Sequence, residues 1–260
     1  MSIESGHPTI EHQEKEPKIQ TVEVDFLRHG ESTYKQRHVP KDGKIEDLTE
    51  FGKEQIQQQA EVLAQSIIPE NEIVVLWSSP AWRAQDSMEI IERVFTEKGI
   101  EIAHEKTIPL MRQIREKDLD YMDNVWQKAK DKGVSGDVIV TRDPEFQQKS
   151  DKFESYPEIQ RRSEGVYNWI RYIAEKINTE GKKLHIIGVG HMEFLEPIME
   201  QLFDFDVEKG EGIGRGEVMK ITFVYNQDNK KMEISSDFRG QHKTGITFDK
   251  DQRKFLIDEQ

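Results

Sequence analysis

The sequence predicts a three-layer α/β/α fold with a mostly parallel central sheet, and three observations support this prediction. Short apolar runs such as residues 73–77 are typical of strands buried on both faces. Segments with helical apolar spacing separate these runs, as in a sheet that carries helices on both faces. The chain of 260 residues is long enough to bury a substantial core.

The first half of the chain predicts three strands and two helices. The alternating stretch TVEVDFL at 21–27 predicts the first strand. A helix follows, with Asp47 or Thr49 as its N-cap. After the strand at 73–77, a second helix is predicted in which Ser79 caps and Pro80 takes the first helical position. Gly99 then ends that helix, and IEIAHE predicts a third strand.

The second half begins with a less periodic stretch at 108–156, which we expect to be an excursion over one end of the sheet. The segment YPEIQRRSEGVYNWIRYIAEKI predicts a long helix, and KKLHIIGVGH predicts a buried strand and turn. A helix through FLEPIMEQLF follows, then a strand, EVMKITFVY, and an edge strand, KMEISSDF. Residues 239–260 carry no clear pattern.

The organisation that we predict is one domain at 21–238, because no linker or repeat interrupts it. Residues 1–20 are polar and predict a disordered tail, and 239–260 predict a polar C-terminal extension.

Composition narrows the classes of function. The absence of cysteine excludes disulfides and thiolate metal sites. No apolar run approaches the roughly 18 residues that span a bilayer, and the N-terminus lacks the apolar region of a secretory signal, so we expect a cytoplasmic protein with no membrane partner. The net charge of −13 argues against nucleic-acid binding but allows a local cationic pocket. The oligomeric state stays open.

The turn after the first predicted strand, Arg28-His29-Gly30-Glu31-Ser32, is the first candidate site. Arg28 offers a planar fork suited to phosphate oxygens, and Ser32 with backbone N–H groups can also bind an anion. His29 can act as a base or a nucleophile. Gly30 allows close approach of the backbone or a positive φ. By itself the motif is equally consistent with a basic turn that ends a strand.

Three further segments carry related residue types. Arg83 opens the helix after the second strand, where backbone N–H groups favour an anion. His191 follows the buried strand that ends in Gly-Val-Gly, and Glu116 stands out in the charged segment 110–124. Each residue also has an ordinary structural explanation. Arg83 can be a surface arginine, His191 a loop histidine, and Glu116 part of a solvated run of charges. Because parallel strands present their carboxyl ends at one edge, together they predict a cationic pocket for a phosphoryl group.

These motifs resemble those of the histidine phosphatase superfamily, which has the phosphoglycerate mutase-like fold. LRHGEST resembles its signature, and SSPAWRAQDS resembles its second arginine motif with Ser87 in place of threonine. DLTEFGKEQ is similar to the family segment L-T-x-x-G-x-x-Q, and the VGH at 189–191 stands where the second histidine is found. The resemblance covers roughly residues 22–224.

The resemblance implies a two-step reaction without a metal or another cofactor. His29 would attack phosphorus and form a phosphohistidine. Arg28, Arg83 and His191 would hold the phosphoryl oxygens, with Ser32 as a further phosphate ligand. Glu116 would protonate the leaving oxygen and then deprotonate water.

The sequence departs from the family pattern at several positions. Lys35 stands where many members have asparagine, and we expect it to point outward. The acid segment keeps Glu116 but has Asp120 and Asn124 where glycines are usual. Met192 replaces a small residue after His191, and Glu193 follows it, so Glu193 is the alternative proton donor.

The favoured function is a phosphomonoester hydrolase that acts on a small phosphorylated substrate or on a phosphoprotein. A cofactor-dependent phosphoglycerate mutase is one alternative, although the segment after Glu116 lacks a close match to the mutase pattern. A phosphate-binding or protein-binding module that has lost activity is the other.

Overall fold

A computed structural model describes residues 18–33, 46–133, 151–203, 205, 212–249, 251 and 254–257. The strands are β1 (Ile19–Arg28), β2 (Glu72–Ser78), β3 (Ile102–Thr107), β4 (Lys183–Gly190), β5 (Val218–Asn226), β6 (Lys231–Phe238), β7 (Gln241–Asp249) and β8 (Lys254–Ile257). The helices are α1 (Glu50–Ser66), α2 (Trp82–Glu97), α3 (Leu119–Lys132), α4 (Tyr156–Lys176) and α5 (Met192–Phe203). None of these helices is long and apolar enough to cross a bilayer.

The strands of the described chain form one sheet in the order β3-β2-β4-β1-β5-β6-β7-β8. The pairs β2–β3, β2–β4 and β1–β4 are parallel, and every pair from β1–β5 to β7–β8 is antiparallel. The predicted α/β class is confirmed, but the sheet is mixed rather than mostly parallel. Helical crossovers connect the parallel strands, whereas β5 to β8 follow one another through short connections, which permit antiparallel pairing.

Helices cover both faces of the sheet, as predicted. On one face, α1 and α2 pack on Leu27, Leu76 and Ile187 from three neighbouring strands. On the other face, α4 and α5 pack on a larger cluster that contains Phe26 and Phe223. The strands between these layers are buried on both faces, which accounts for their continuous apolar sequences.

Helix α1 begins as its sequence indicates, whereas α2 begins later than predicted. Thr49 caps α1, since its Oγ1 accepts a hydrogen bond from the N–H of Gly52 at 3.0 Å. In α2 the first residue is Trp82 and the N-cap is Ala81, so Ser79 is not the cap and Pro80 precedes the helix. The Ser79 side chain instead contacts His191.

The C-terminal part of the chain extends the sheet. KMEISSDF, which we expected at an edge, is the interior strand β6, because β7 pairs with its other side. The unpatterned segment 239–260 supplies both β7 and β8. Phe255 of β8 is buried and lies edge-on against Tyr167 of α4, so this segment contributes to the main core.

The segment 108–156 contains a short 3-10 helix at Pro109–Met111 and the helix α3. Buried residues of α3, such as Met122 and Val125, pack with Phe153 and Ile159 in a small separate cluster. Residues 134–150, like residues 1–17 of the predicted tail, lie outside the described residues.

Candidate active site

The candidate site lies where three neighbouring parallel strands end. His29 follows β1, Ser79 follows β2 and His191 follows β4, which lies between the other two. The N–H of His29 donates to the Gly190 carbonyl at 3.1 Å, and the N–H of Ser79 donates to the Val189 carbonyl at 2.9 Å. Backbone hydrogen bonds between neighbouring strands therefore extend into these turns. The residues that the sequence predicted at one edge of the sheet do meet there.

The His29 ring is held in one tautomer by its two neighbours. Its Nδ1 lies 2.7 Å from the Gly30 carbonyl oxygen, and its Nε2 lies 3.0 Å from Nε of Arg83. A carbonyl oxygen only accepts and a guanidinium nitrogen only donates, so Nδ1 carries the proton and Nε2 presents its lone pair. The buried ring thus exposes a nucleophilic nitrogen toward the arginine.

Arg83 is the centre of the site. Besides His29, its guanidinium contacts the side-chain oxygen of Gln113 and lies 3.4 Å from Nδ1 of His191. The carboxylate of Asp47 lies 4.0 Å away, and both of these side chains are buried. One positive charge from the first turn of α2 therefore connects both histidines.

His191 faces its histidine partner across a short gap. The ring centroids of His29 and His191 are 5.0 Å apart. The Nε2 of His191 lies 2.7 Å from Oγ of Ser79, so it donates to the hydroxyl while Nδ1 faces Arg83. Ser79 thereby orients the second histidine, a role that the sequence did not reveal.

The surroundings keep both rings neutral. Burial lowers the pKa of His29 well below its usual value, and the charges of Arg83 and Arg28 lower it further. The pKa of His191 is also well below its usual value, mainly because of burial and then because of Arg83 and His29. A neutral imidazole retains the lone pair that nucleophilic attack requires.

Arg28 lies beside this pair and is anchored by two contacts. Its Nη1 donates to the Ile213 carbonyl at 2.9 Å and approaches Sδ of Met192 at 3.2 Å. Its Nε is buried, with no hydrogen-bond partner among the described residues. The unusual Met192 thus packs on the arginine of the signature turn.

Gly30 allows close approach of two backbones rather than a positive φ. A Cβ at Gly30 would lie 2.4 Å from the carbonyl oxygen of Gly52, in the first turn of α1. The Gly30 N–H also donates to Oγ of Ser87 at 3.3 Å. The turn that carries His29 therefore packs closely between α1 and α2.

Ser32 lies in the same turn and is buried. Its Oγ is buried and has no hydrogen-bond partner among the described residues. Lys35 lies outside the described residues.

The two candidate proton donors occupy different places. Glu193 is buried in the first turn of α5, and its Oε1 accepts from the N–H of Ile114 at 2.8 Å. Glu116 is partly buried, pairs through its backbone with Phe153, and accepts from Trp126 Nε1 at 3.3 Å. Glu193 is therefore linked to the residue next to Gln113, whereas Glu116 faces the α3 cluster.

Gln113 is the site residue that sequence reasoning missed. Its side chain reaches Arg83, and its backbone is fixed from both sides. Arg162 donates to the carbonyl of Arg112 at 2.6 Å, and Glu193 accepts from Ile114. The only feature of the sequence that could have indicated Gln113 is its position three residues before Glu116 in the charged segment.

Among the described residues, one group of side chains has the spacing of a metal site, and this group lies outside the candidate active site. Ligand atoms of Glu23, Asp25 and His185 lie within 4.8 Å of one another. Lys183 and Lys220 each place Nζ 3.1 Å from Oε1 of Glu23, where they compete with a cation. We therefore assign no metal to this group.

Comparison with known proteins identifies the family. The model of the histidine phosphatase superfamily (branch 1) matches residues 24–235, which includes His29, Arg83 and His191. The chain belongs to this superfamily. The resemblance of its motifs is thus confirmed. No sequence among the curated proteins matches significantly.

Solved structures support the histidine phosphatase fold. A mycobacterial glucosyl-3-phosphoglycerate phosphatase superposes with a TM-score of 0.51 at 16% identity, covering 85% of this chain and 99% of its own. Bacillus stearothermophilus YhfR gives a TM-score of 0.52 at 16% identity, covering 77% and 90%. A putative alpha-ribazole-5'-P phosphatase from Escherichia coli gives 0.50 at 16% identity, covering 82% and 94%.

Proposed function

We propose that this histidine phosphatase superfamily member hydrolyses phosphomonoesters through a phosphohistidine on His29. The observation that carries the proposal is the state of that ring. It is buried and neutral, its Nδ1 is committed to the Gly30 carbonyl, and its Nε2 lone pair faces Arg83. The pocket supplies positive charge through arginines, so the proposed reaction uses no metal.

In the first step, Nε2 of His29 attacks phosphorus and the bond to the ester oxygen breaks. The Nδ1–H···O bond to Gly30 stabilises the positive charge that develops on the ring. Covalent catalysis of this kind divides one difficult displacement into two easier ones.

The phosphoryl oxygens are the proposed ligands of Arg28, Arg83, His191 and Ser32. Arg83 donates to His29 without substrate and would redirect its N–H groups to the phosphoryl group. The unpaired Nε of Arg28 and Oγ of Ser32 supply further donors. Donors fixed before the reaction stabilise the charge of the transition state without reorganisation.

We favour Glu193 as the proton donor over Glu116. Glu193 is two residues from His191, is buried, and binds the backbone next to Gln113, which contacts Arg83. Glu116 instead bonds Trp126 at the α3 cluster. In the proposed cycle Glu193 gives its proton to the leaving oxygen.

In the second step the Glu193 carboxylate takes a proton from water. The water oxygen attacks phosphorus, the P–N bond breaks, and inorganic phosphate leaves with His29 regenerated. The substrate class is a small phosphorylated molecule, with phosphoproteins as a second class to test.

The test is phosphate release from a panel that contains p-nitrophenyl phosphate, 3-phosphoglycerate, sugar phosphates, nucleotides and a phosphopeptide. We expect His29→Ala to lower kcat at least about a thousandfold, as for removal of a nucleophile. Rapid quenching in alkali would detect the labelled intermediate, because a phosphohistidine is stable in alkali and labile in acid.

The donor is tested by leaving-group dependence with two matched carboxylate-to-amide changes. Glu193→Gln is expected to slow alkyl phosphates by about 10²–10⁴, the usual contribution of general acid catalysis. It should slow p-nitrophenyl phosphate much less, because p-nitrophenolate leaves without a proton. If Glu116→Gln shows this pattern instead, Glu116 is the donor.

Other outcomes would contradict the proposal. Isomerisation of phosphoglycerate that depends on a bisphosphate, without net phosphate release, would establish a mutase. Tight binding of phosphorylated ligands by the wild type, with no turnover on any substrate, would establish a binding module.

A further inference from the structure

A further cationic side chain besides Arg28 and Arg83, that of Arg215, lies beside the turn that carries His29. The loop that bears Arg215 is fixed on both sides of it. The Arg28 side chain donates to the Ile213 carbonyl at 2.9 Å, and the Gly216 N–H donates to the Arg28 carbonyl at 2.9 Å. The Arg28 N–H in turn donates to the Glu217 carbonyl at 3.2 Å.

The Arg215 guanidinium is both near the nucleophile and open to solvent. Its side chain is 34% exposed. Its charge nevertheless contributes to the lowering of the His29 pKa, after burial, Arg83 and Arg28. The geometry agrees, because its partner Glu31 belongs to the same turn as His29 and the neighbouring Gly216 bonds the Arg28 carbonyl. Arg215 therefore lies at the surface, beside the turn that carries His29.

Glu31 holds Arg215 in this position. Nη1 of Arg215 lies 2.9 Å from Oε2 of Glu31, which is the hydrogen bond that the described residues provide for this guanidinium. Glu31 is itself fixed, because its Oε1 accepts from Oγ1 of Thr49 at 3.1 Å and its N–H donates to Gln55 at 3.0 Å. A guanidinium has five N–H groups, so one such bond leaves donors for a ligand.

We propose that Arg215 is a specificity residue that binds a second anionic group of the substrate, beyond the phosphoryl group that is transferred. The preferred substrates are then phosphomonoesters whose alcohol part carries a carboxylate or another phosphate. This inference rests on the proposed phosphatase function. The planar fork of arginine suits the paired oxygens of either anion.

The test compares two substrates of similar size, 3-phosphoglycerate and glycerol 3-phosphate, which differ in a carboxylate. We expect Arg215→Met to lower kcat/KM for 3-phosphoglycerate by about 10- to 100-fold, the usual range for a hydrogen bond to a charged group. For glycerol 3-phosphate the value should stay within a factor of about two of the wild type. Fructose 1,6-bisphosphate then shows whether a second phosphate serves as well as a carboxylate.

The matched control is Arg93→Met on α2, because Arg93 is an exposed arginine with a surface partner, Glu97. The Arg93→Met variant should leave kcat/KM unchanged for both substrates. Equal losses on both substrates in Arg215→Met would overturn the inference and place Arg215 among the ligands of the transferred phosphoryl group. No loss on either substrate would also overturn it.

Binding measurements separate this inference from the proposed function. In the His29→Ala background, calorimetry should show tighter binding of 3-phosphoglycerate than of glycerol 3-phosphate, and Arg215→Met should abolish that difference. A preserved difference in affinity contradicts the role of Arg215. Absence of turnover in the wild type contradicts only the phosphatase.

Discussion

Two buried histidines at opposite ends of β4 have opposite surroundings. His185, near the start of the strand, places Nδ1 2.8 Å from Glu72 and Nε2 2.9 Å from Asp25. His191, just after the strand ends, faces Arg83 and Ser79. Both rings are almost fully inaccessible to solvent, with exposures of 0% and 1%. Burial alone therefore does not decide what a histidine does.

The neighbours of His185 form a closed cluster of charges. Each ring nitrogen of His185 has a carboxylate within hydrogen-bond distance, and ionised carboxylates only accept hydrogen bonds. Glu23 adds a third carboxylate, and Lys183 and Lys220 contact it. Burial raises the pKa of Glu23, but His185, Lys183 and Lys220 outweigh it, so the pKa is lowered overall. Three carboxylates thus share one histidine and two lysines as partners.

The active-site pair has the reverse arrangement, with positive charge around neutral rings. The buried Nε of Arg28 and Oγ of Ser32 have no hydrogen-bond partner among the described residues. The comparison teaches that the charges around a buried histidine distinguish the two sites: carboxylates flank His185, whereas arginines flank His29 and His191. Three measurements would break or sharpen it.

The largest expected effect concerns His185→Ala. Removing one member of a buried ion cluster leaves uncompensated carboxylates, so we expect a loss of about 3–5 kcal/mol in the free energy of unfolding. The activity of the protein that remains folded should not change. Urea denaturation and phosphate release measure the two quantities.

The control for this variant is His242→Ala, because His242 is exposed and pairs with Asp237 on the surface. It should alter the free energy of unfolding by less than about 0.5 kcal/mol. His191→Ala should behave oppositely to His185→Ala, losing activity with a smaller change in stability. If His185→Ala were as stable as the wild type, the cluster would have no structural role.

The second effect is the pH dependence of stability. The folded-state pKa values of His29 and His191 are lowered, so below about pH 6.5 the unfolded chain binds protons that the folded chain does not. Stability therefore falls as the pH decreases from about 6.5, by up to about 1.4 kcal/mol per pH unit for each histidine. It is unaffected by these rings above that range.

Denaturation at several pH values between 7.5 and 5.5 measures this slope. The His29→Asn variant should show a smaller slope of unfolding free energy against pH, reduced by the contribution of one histidine, because asparagine does not titrate. His104→Asn, an exposed site on β3, should leave the slope unchanged. An unchanged slope in His29→Asn would show that folding does not lower the pKa of His29.

The smallest effect is proton uptake on anion binding. A bound dianion opposes the influence of the arginines, so we expect His191 to take up about one proton and donate a hydrogen bond to the anion. Sulfate is the suitable probe, since its charge does not change near pH 7. Calorimetry in buffers of different ionisation enthalpy gives the number of protons, and His191→Asn should abolish the uptake.

Much of the fold could be predicted from local pattern. The buried strands β2 and β4 and the helices α1 and α4 have sequences whose period suits one structure only. The strands β7 and β8 could not be predicted, because their polar, exposed residues are held in place by pairing with β6 and by the packing of Phe255. Their structure depends on distant parts of the chain.

The site divides in the same way. The signature turn and the turns before Arg83 and His191 follow parallel strands, so their meeting at one edge could be predicted. Gln113 could not, since Arg162 and Glu193 fix its backbone from other helices. The proposed preference for Glu193 over Glu116 likewise depends on packing, which brings the Glu193 carboxylate to the Ile114 N–H beside Gln113.

The sequence by itself determined the family, the α/β layers and the identity of the two histidines and two arginines, because these follow from short motifs and their order along the strands. Only the tertiary structure decided the tautomer of His29, the orientation of His191 by Ser79, and the position of Arg215 beside Glu31. The physical reason is that protonation and orientation depend on partners brought together by folding, many residues apart in the chain.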